Sequence, residues 1–153
     1  MLGAEVGSHA PLFELRDQNN QFVRLADFRG AKSVLLMFYP STFTRVCGEE
    51  LGAIRDNLAH FQNETVQVLA VSVDSVFAHK VWAGQEGFAF PLLADFWPHG
   101  LVAKSYGCFD EVSGRATRGS YIIDTEGVLR WRVSNAIPDA RDHASYLEVL
   151  STL

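Results

Sequence analysis

Two predominantly apolar runs dominate the hydrophobic pattern of the chain. Residues 34–39 form the first run, which Pro40 ends, and residues 66–73 form the second, which Asp74 ends. Apolar runs without polar alternation are typical of strands that are covered on both faces, as in a parallel sheet. The pattern therefore predicts two buried strands in the interior of the fold.

A helical spacing of apolar positions follows the first run. Residues 44–61 are predicted to form a helix with one buried stripe, because their apolar side chains recur three and four positions apart. These side chains are Leu51, Ile54, Leu58 and Phe61. A second helix is predicted over residues 76–85, and a third over residues 139–150, opened by Pro138 and Asp139.

Alternating segments predict two hairpins. Residues 13–16 and 22–25 alternate apolar and polar side chains around four turn residues, and residues 121–124 join residues 128–133 through a second turn. The chain thus runs strand, helix, strand, helix, then a hairpin and a last helix. That order predicts an α/β protein of thioredoxin-like fold, with a central mixed β-sheet flanked by helices and an N-terminal β-hairpin.

Composition and charge narrow the range of possible functions. The chain has 153 residues, of which 48% are hydrophobic and 20% charged, and no linker divides it, so residues 1–153 are predicted to form a single domain. A net charge of −5 without clustered Lys or Arg argues against nucleic acid as a partner. No apolar run is long enough to span a bilayer, and residues 1–6 lack the features of a signal peptide. We therefore expect a cytoplasmic protein without a membrane partner.

The two cysteines, Cys47 and Cys108, are the candidate chemical groups. A cytoplasmic chain of this size is not expected to carry a structural disulfide, so a cysteine that matters should act as a reactive thiol. The chain has no pair of cysteines separated by two residues, and its five histidines lack the spacing of metal ligands. No glycine pattern matches a phosphate-binding loop, so neither a metal nor a cofactor is expected.

Cys47 is placed where a helix favours an anion. If the helix begins near Thr44, Cys47 lies in the first turn, where unpaired N–H groups and the helix dipole stabilise a thiolate. Its position also continues the apolar stripe of that helix, so the sulfur should be partly shielded. On position alone, two other interpretations stay open: Cys47 could be a small buried hydrophobic residue, and Thr44 could be only a helix cap.

The motif Pro40-x-x-x-Thr44-x-x-Cys47 after an apolar strand resembles the peroxidatic motif of the peroxiredoxin family. The resemblance extends along most of the chain. It includes residues 10–15, His79 with Trp82, residues 90–95, Tyr106-Gly107 and residues 118–124. Residues 90–100 resemble the AhpE-like, one-cysteine branch of this family.

The resemblance implies a thiol-dependent antioxidant peroxidase that acts on hydrogen peroxide, organic hydroperoxides or peroxynitrite. Cys47 would be the peroxidatic thiolate and would become a sulfenic acid. The Thr44 hydroxyl would bond both the sulfur and the incoming peroxide, Pro40 would shield the thiolate from water, and Arg118 would supply a guanidinium.

Further residues receive weaker assignments from the resemblance. Arg141 stands where some branches keep a second arginine near the site. Glu50 matches a common position in the family, with a role that could be structural only. His79 and Trp82 are expected to support packing of a helix rather than chemistry.

The resemblance also implies partners. An external thiol, either a low-molecular-weight thiol or a small redoxin, would reduce the sulfenic acid, and a homodimer is expected. Alternatively, Cys108 could condense with Cys47 within one chain or between subunits, although a buried, valine-like Cys108 is favoured. A thiol–disulfide oxidoreductase and a redox sensor or holdase remain as other functions; the former normally uses two cysteines separated by two residues.

Overall fold

The computed structural model describes residues 4–153, and its strands form one large sheet and one small ribbon. In chain order the strands are β1 (Glu14–Arg16), β2 (Phe22–Arg24), β3 (Ser33–Phe38), β4 (Val66–Ser72), β5 (Leu92–Ala94), β6 (Phe109–Asp110), β7 (Arg115–Ala116), β8 (Arg118–Ile123) and β9 (Leu129–Asn135). The large sheet has the order β2-β1-β5-β4-β3-β8-β9, while β6 and β7 pair only with each other.

The large sheet is mixed, as predicted. Strand β3 lies parallel to β4, and β4 lies parallel to β5, whereas β8 runs antiparallel to β3. All six residues of β3 are buried, which explains the uninterrupted apolar run. The N-terminal β-hairpin of β1 and β2 adds two antiparallel strands at one edge.

Helices cover the sheet. They are α1 (Arg45–Asp56), α2 (Leu58–Phe61), α3 (Val76–Glu86), α4 (Leu101–Ser105) and α5 (Ala144–Leu150), with a 3-10 helix at Leu25–Phe28. Helix α3 matches its prediction within one residue. Within residues 4–153, none of the helices has the length and apolar character that crossing a membrane requires.

Two predicted helices have different boundaries in the structure. The helix predicted over residues 44–61 is interrupted at Asn57, whose backbone leaves the helical region and whose side-chain amide donates to the Ala53 carbonyl at 3.1 Å. Asparagine competes in this way with the helical hydrogen bonds. The helix predicted from residue 139 begins at Ala144 instead. The residues before it are held by the contacts of Arg141 that are described below.

The alternation of β3 separates the core into two layers. Val34, Leu36 and Phe38 pack into one cluster, which includes Cys108. Leu35, Met37 and Tyr39 pack into the other, which includes Cys47. Because successive side chains of a strand point to opposite faces, the two cysteines lie on opposite faces of the sheet.

Candidate active site

Cys47 lies in the first turn of α1. Thr44 is the N-cap residue with an extended backbone (φ −105°, ψ 153°), and the helix begins at Arg45. The N–H groups of this first turn have no partner within the helix, so their partial positive charge favours an anion nearby. Cys47 is 1% exposed and packs in the same cluster as Leu51 and Ile54, as the apolar stripe predicts.

Arg118 is brought to the sulfur by β8, of which it is the first residue. Its Nη1 donates to Cys47 Sγ at 3.2 Å and to Glu50 Oε1 at 2.5 Å. Its Nε donates to the Ile137 carbonyl oxygen at 2.6 Å. Only 3% of Arg118 is exposed, so the guanidinium is a buried cation whose orientation is fixed by three acceptors.

A single carboxylate, that of Glu50, joins two buried arginines. Glu50 Oε1 accepts from Arg118 and also from Arg141 Nη2 at 2.9 Å. Glu50 Oε2 accepts from Arg141 Nε at 2.9 Å and from the Arg141 backbone N–H at 2.8 Å. Two guanidinium groups and one carboxylate leave one positive charge, and an anionic sulfur at Cys47 would balance it. The cluster therefore places a net positive charge beside the sulfur.

The Glu50 carboxyl stays ionised in this cluster. Burial alone raises its pKa, but the hydrogen bonds and charge of Arg141, together with the charge of Arg118, outweigh burial and hold the pKa below its usual value. Sequence reasoning gave Glu50 only a minor place. The sequence did indicate a larger role. Residue 50 falls on the apolar face of α1 between Cys47 and Ile54, and a buried carboxylate there requires a buried cation.

Arg141 contacts Glu50 and the ends of two central strands. Its Nη1 donates to the carbonyl oxygens of Phe38 at 2.6 Å and Gly119 at 2.9 Å, and to Ser120 Oγ at 3.1 Å. Arg141 thereby ties the end of β3 to the start of β8. Its link to Cys47 runs through Glu50 and Arg118. These contacts hold Arg141 against the ends of the strands, which explains why the predicted C-terminal helix starts late.

Pro40 and Thr44 lie on the loop between β3 and α1. Pro40 is buried at the end of β3, whereas Thr44 is exposed. Among the described residues, the one hydrogen bond of the Thr44 hydroxyl goes to the Ser41 carbonyl oxygen at 2.7 Å. The hydroxyl proton is thus directed at Ser41, and its lone pairs stay free to accept a bond. The hydrogen bond to the sulfur that the resemblance implies is not formed in this structure.

Cys108 is buried away from this cluster. It is 1% exposed, and burial raises its thiol pKa to about 12. It lies in the apolar layer opposite Cys47, with the central sheet between them. In this environment Cys108 behaves as a small apolar side chain, as its favoured interpretation predicts.

No group of three or more His, Cys, Asp or Glu side chains within the described range 4–153 is arranged to hold a metal ion. The groups that surround Cys47 are the guanidinium of Arg118 and the backbone N–H groups of the first turn of α1. Such donors suit a reaction in which negative charge moves from the sulfur to a departing oxygen.

Comparison with known proteins identifies relatives along most of the chain. A model of the AhpC/TSA family matches residues 6–132. Alkyl hydroperoxide reductase E of Mycobacterium tuberculosis is 47% identical over 97% of this chain and 97% of its own. A chloroplastic 2-Cys peroxiredoxin of Spinacia oleracea is 37% identical over 97% of this chain and 59% of its own. The crystal structure of Enterococcus faecalis AhpC superposes with a TM-score of 0.87 at 32% identity, covering 97% of this chain and 92% of that one.

Proposed function

Because this chain belongs to the AhpC/TSA family, we propose that it is a thiol-dependent peroxidase that reduces hydrogen peroxide, organic hydroperoxides and peroxynitrite through Cys47. Family membership confirms the peroxiredoxin resemblance of the sequence, including its AhpE-like branch. The thioredoxin-like fold is likewise confirmed by the structural neighbour.

One observation carries the proposal: Arg118 Nη1 lies 3.2 Å from Cys47 Sγ, at the start of a helix. A guanidinium at this distance stabilises the sulfur as an anion before the reaction. Preorganised donors of this kind also stabilise charge on the peroxide oxygens as the O–O bond breaks. Arg118 therefore serves both the nucleophile and the leaving group.

The reaction consumes one peroxide per sulfur oxidised. The Cys47 thiolate attacks the terminal oxygen of the hydroperoxide, so that an S–O bond forms and the O–O bond breaks. The sulfur is oxidised to a sulfenic acid. The departing oxygen of a hydroperoxide takes a proton and leaves as water or an alcohol, and that of peroxynitrite leaves as nitrite. Pro40 shields the sulfur from bulk water, and Thr44 positions the peroxide through its hydroxyl.

An external thiol closes the cycle. It attacks the sulfenic acid, releases water and forms a mixed disulfide, and a second thiol then restores Cys47. We assign this role to a low-molecular-weight thiol or a small redoxin. The alternative reaction with Cys108 of the same chain has little support, because β3 and its neighbours separate the two sulfurs and a disulfide needs Cα atoms within roughly 7 Å.

The protein is further proposed to act as a cytoplasmic homodimer of single-domain subunits. Large apolar side chains remain exposed on one side of the subunit, among them Phe77 and Trp97, each 82% exposed, and Phe96. They line a groove together with Phe22, beside the N-terminal hairpin. Apolar surface of this kind is typical of protein interfaces.

Substitution of each cysteine tests the proposal. We expect Cys47→Ser to abolish peroxide consumption and Cys108→Ser to leave it unchanged. After one equivalent of peroxide, mass spectrometry should show a gain of about 16 Da on Cys47, and not the loss of two hydrogens that a disulfide would cause. A Cys47→Ser protein that consumed peroxide at the original rate would exclude the assignment.

Steady-state turnover separates an enzyme from a redox sensor. Both would oxidise Cys47, but only the enzyme consumes many equivalents of peroxide when a thiol such as dithiothreitol or a redoxin is supplied. An oxidised protein that no thiol returned to the reduced state would favour the sensor.

A further inference from the structure

A partly buried polar network lies behind the loop that joins β3 to α1. Its centre is Asp74, which follows the end of β4. Asp74 Oδ2 accepts the backbone N–H of Thr42 at 2.8 Å and the hydroxyl of Ser72 at 2.7 Å. One carboxylate oxygen thus connects the central sheet to the loop that carries Pro40 and Thr44.

The loop needs such support because it contains an uncommon backbone conformation. Phe43 has φ +67°, in the left-handed region that residues other than glycine seldom adopt. Conformations of this kind persist where the surrounding structure holds them in place. Phe43 directly precedes Thr44, the N-cap of α1, so its backbone angles set the position from which the helix starts.

Contacts on either side hold Phe43. The neighbouring Thr42 is fixed by Asp74 through its backbone and by the Tyr39 hydroxyl through its side chain, at 3.0 Å. The Phe43 ring packs edge-on against Trp82 of α3, with 6.4 Å between ring centroids. Asp74 supplies the hydrogen-bond acceptor in this arrangement, and Trp82 supplies the packing surface.

The network continues into α3 through a buried histidine. Ser72 Oγ, which donates to Asp74, is also hydrogen-bonded to His79 Nε2 at 2.7 Å. Ser72 and His79 are both fully buried, so the group that orients Asp74 is itself fixed in the core. His79 and Trp82, which the sequence suggested only as packing residues, therefore support the active-site loop from behind.

We propose that Asp74 is a positioning residue for the peroxide reaction. By accepting the Thr42 N–H, it holds the loop of residues 40–44 so that α1 starts at Arg45 and presents Cys47 to Arg118. This proposal rests on the proposed peroxidase function. It predicts that loss of the Asp74 oxygen impairs reaction with peroxide more than it impairs the general reactivity of the sulfur.

Three variants in a Cys108→Ser background test the proposal. Asp74→Ala removes the acceptor, while Asp74→Asn keeps an oxygen that can accept from both Thr42 and Ser72 but removes the charge. Asp124→Ala is the matched control. Its Oδ1 also accepts two backbone N–H groups, from Glu126 and Val128, each at 2.9 Å, but Asp124 follows the end of β8 remote from Arg118.

Two rates are measured for each folded variant: oxidation of Cys47 by hydrogen peroxide and alkylation of Cys47 by iodoacetamide. Alkylation requires an accessible thiolate but no alignment of an O–O bond. We expect D74A to lower the peroxide rate constant by about tenfold or more, as misplacement of reacting groups does. Its alkylation rate should stay within about threefold of the parent or rise, since a looser loop exposes the sulfur.

The two other variants complete the test. D74N should recover most of the peroxide rate, and D124A should match the parent in both rates. Equal peroxide rates for D74A and the parent would overturn the positioning role, as would a parallel loss of both rates. If D74A does not fold, Ser72→Ala, which removes the hydroxyl that orients Asp74, must lower the peroxide rate, and a parental rate would overturn the proposal. Absence of peroxide reaction in the parent itself would instead refute the peroxidase assignment.

Discussion

Glu50 and Arg141 are joined by three hydrogen bonds, two from the guanidinium and one from the arginine backbone, at 2.8 to 2.9 Å. This contact fastens α1, which carries Cys47, to the segment that precedes α5. Because Glu50 Oε1 also accepts from Arg118, the carboxylate orients the guanidinium that contacts the sulfur. The geometry of the site therefore depends on an acid that is linked to Cys47 through Arg118.

Replacing Glu50 should destabilise the protein strongly. Glu50→Gln removes the carboxylate that two buried guanidinium groups share, and breaking a buried ion pair from one side costs about 3 to 5 kcal/mol. Urea unfolding of E50Q should show a loss of that size. The matched control is Glu49→Gln, because Glu49 is exposed and pairs with the exposed Arg45, and loss of such a pair costs about 1 kcal/mol or less. Equal stabilities for the two variants would contradict the role of Glu50.

Arg118 should contribute to the rate rather than only to folding. Arg118→Ala removes the side-chain donor to Cys47, and loss of one such donor typically lowers a rate by about 10² to 10³. Stopped-flow oxidation by hydrogen peroxide measures the effect. Arg118→Lys keeps the charge but has only one donor nitrogen, so it cannot hold Ile137 as Nε does while also reaching Cys47 and Glu50 as Nη1 does. Its rate should fall between those of the parent and R118A.

A control for this prediction is Arg130→Ala, since Arg130 is exposed and pairs with Asp124 beyond the other end of β8. Its oxidation rate should equal that of the parent. An R118A protein that kept its fold and the parental peroxide rate would remove Arg118 from the catalytic group.

The central sheet could be predicted from the sequence because strands that are buried on both faces are encoded by apolar runs. The apolar runs at residues 34–39 and 66–73 became β3 and β4 with boundaries shifted by one residue. Strand β5 and helix α4 were not predicted. They have three and five residues, which is too short for a hydrophobic period to be recognised.

In the candidate site, too, local features could be predicted from the sequence and long-range contacts could not. The position of Cys47 in the first turn of α1 is a local property and could be predicted, whereas the cluster around Glu50 depends on contacts between residues 91 positions apart. Ile137 accepts from Arg118 through its backbone carbonyl. Every residue type has such a carbonyl, so the sequence does not indicate which residue will be the acceptor. The same holds for Asp74, whose partner is the backbone of Thr42.

Cys108 should be unreactive in the folded protein. With its pKa raised to about 12 by burial, only about one molecule in ten thousand carries the thiolate at pH 8, and the thiolate is the nucleophile. In the Cys47→Ser background, iodoacetamide at pH 8 should leave Cys108 unmodified for hours and label it rapidly in 6 M guanidinium, as peptide mass spectrometry would report. Rapid labelling without denaturant would show that Cys108 is accessible and would revive it as a resolving thiol.

Protonation of His79 should link stability to pH. Burial lowers the pKa of His79 from 6.5 to about 4, with the negative charge of Asp74 offsetting part of the effect. Between these two values the unfolded chain binds a proton that the folded chain does not, so stability is highest above pH 6.5 and falls as the pH drops towards 4. The loss of stability from this residue is about 3 kcal/mol at most.

Urea unfolding at several pH values should show a smaller decrease in stability for His79→Asn than for the parent. His143, whose pKa burial also lowers, still contributes to the decrease. His60→Asn is the control because His60 is exposed, and its pH profile should match that of the parent. If His79→Asn kept the full parental decrease between pH 6.5 and 4, then His79 would not be the buried neutral group on which the Ser72 hydrogen bond depends.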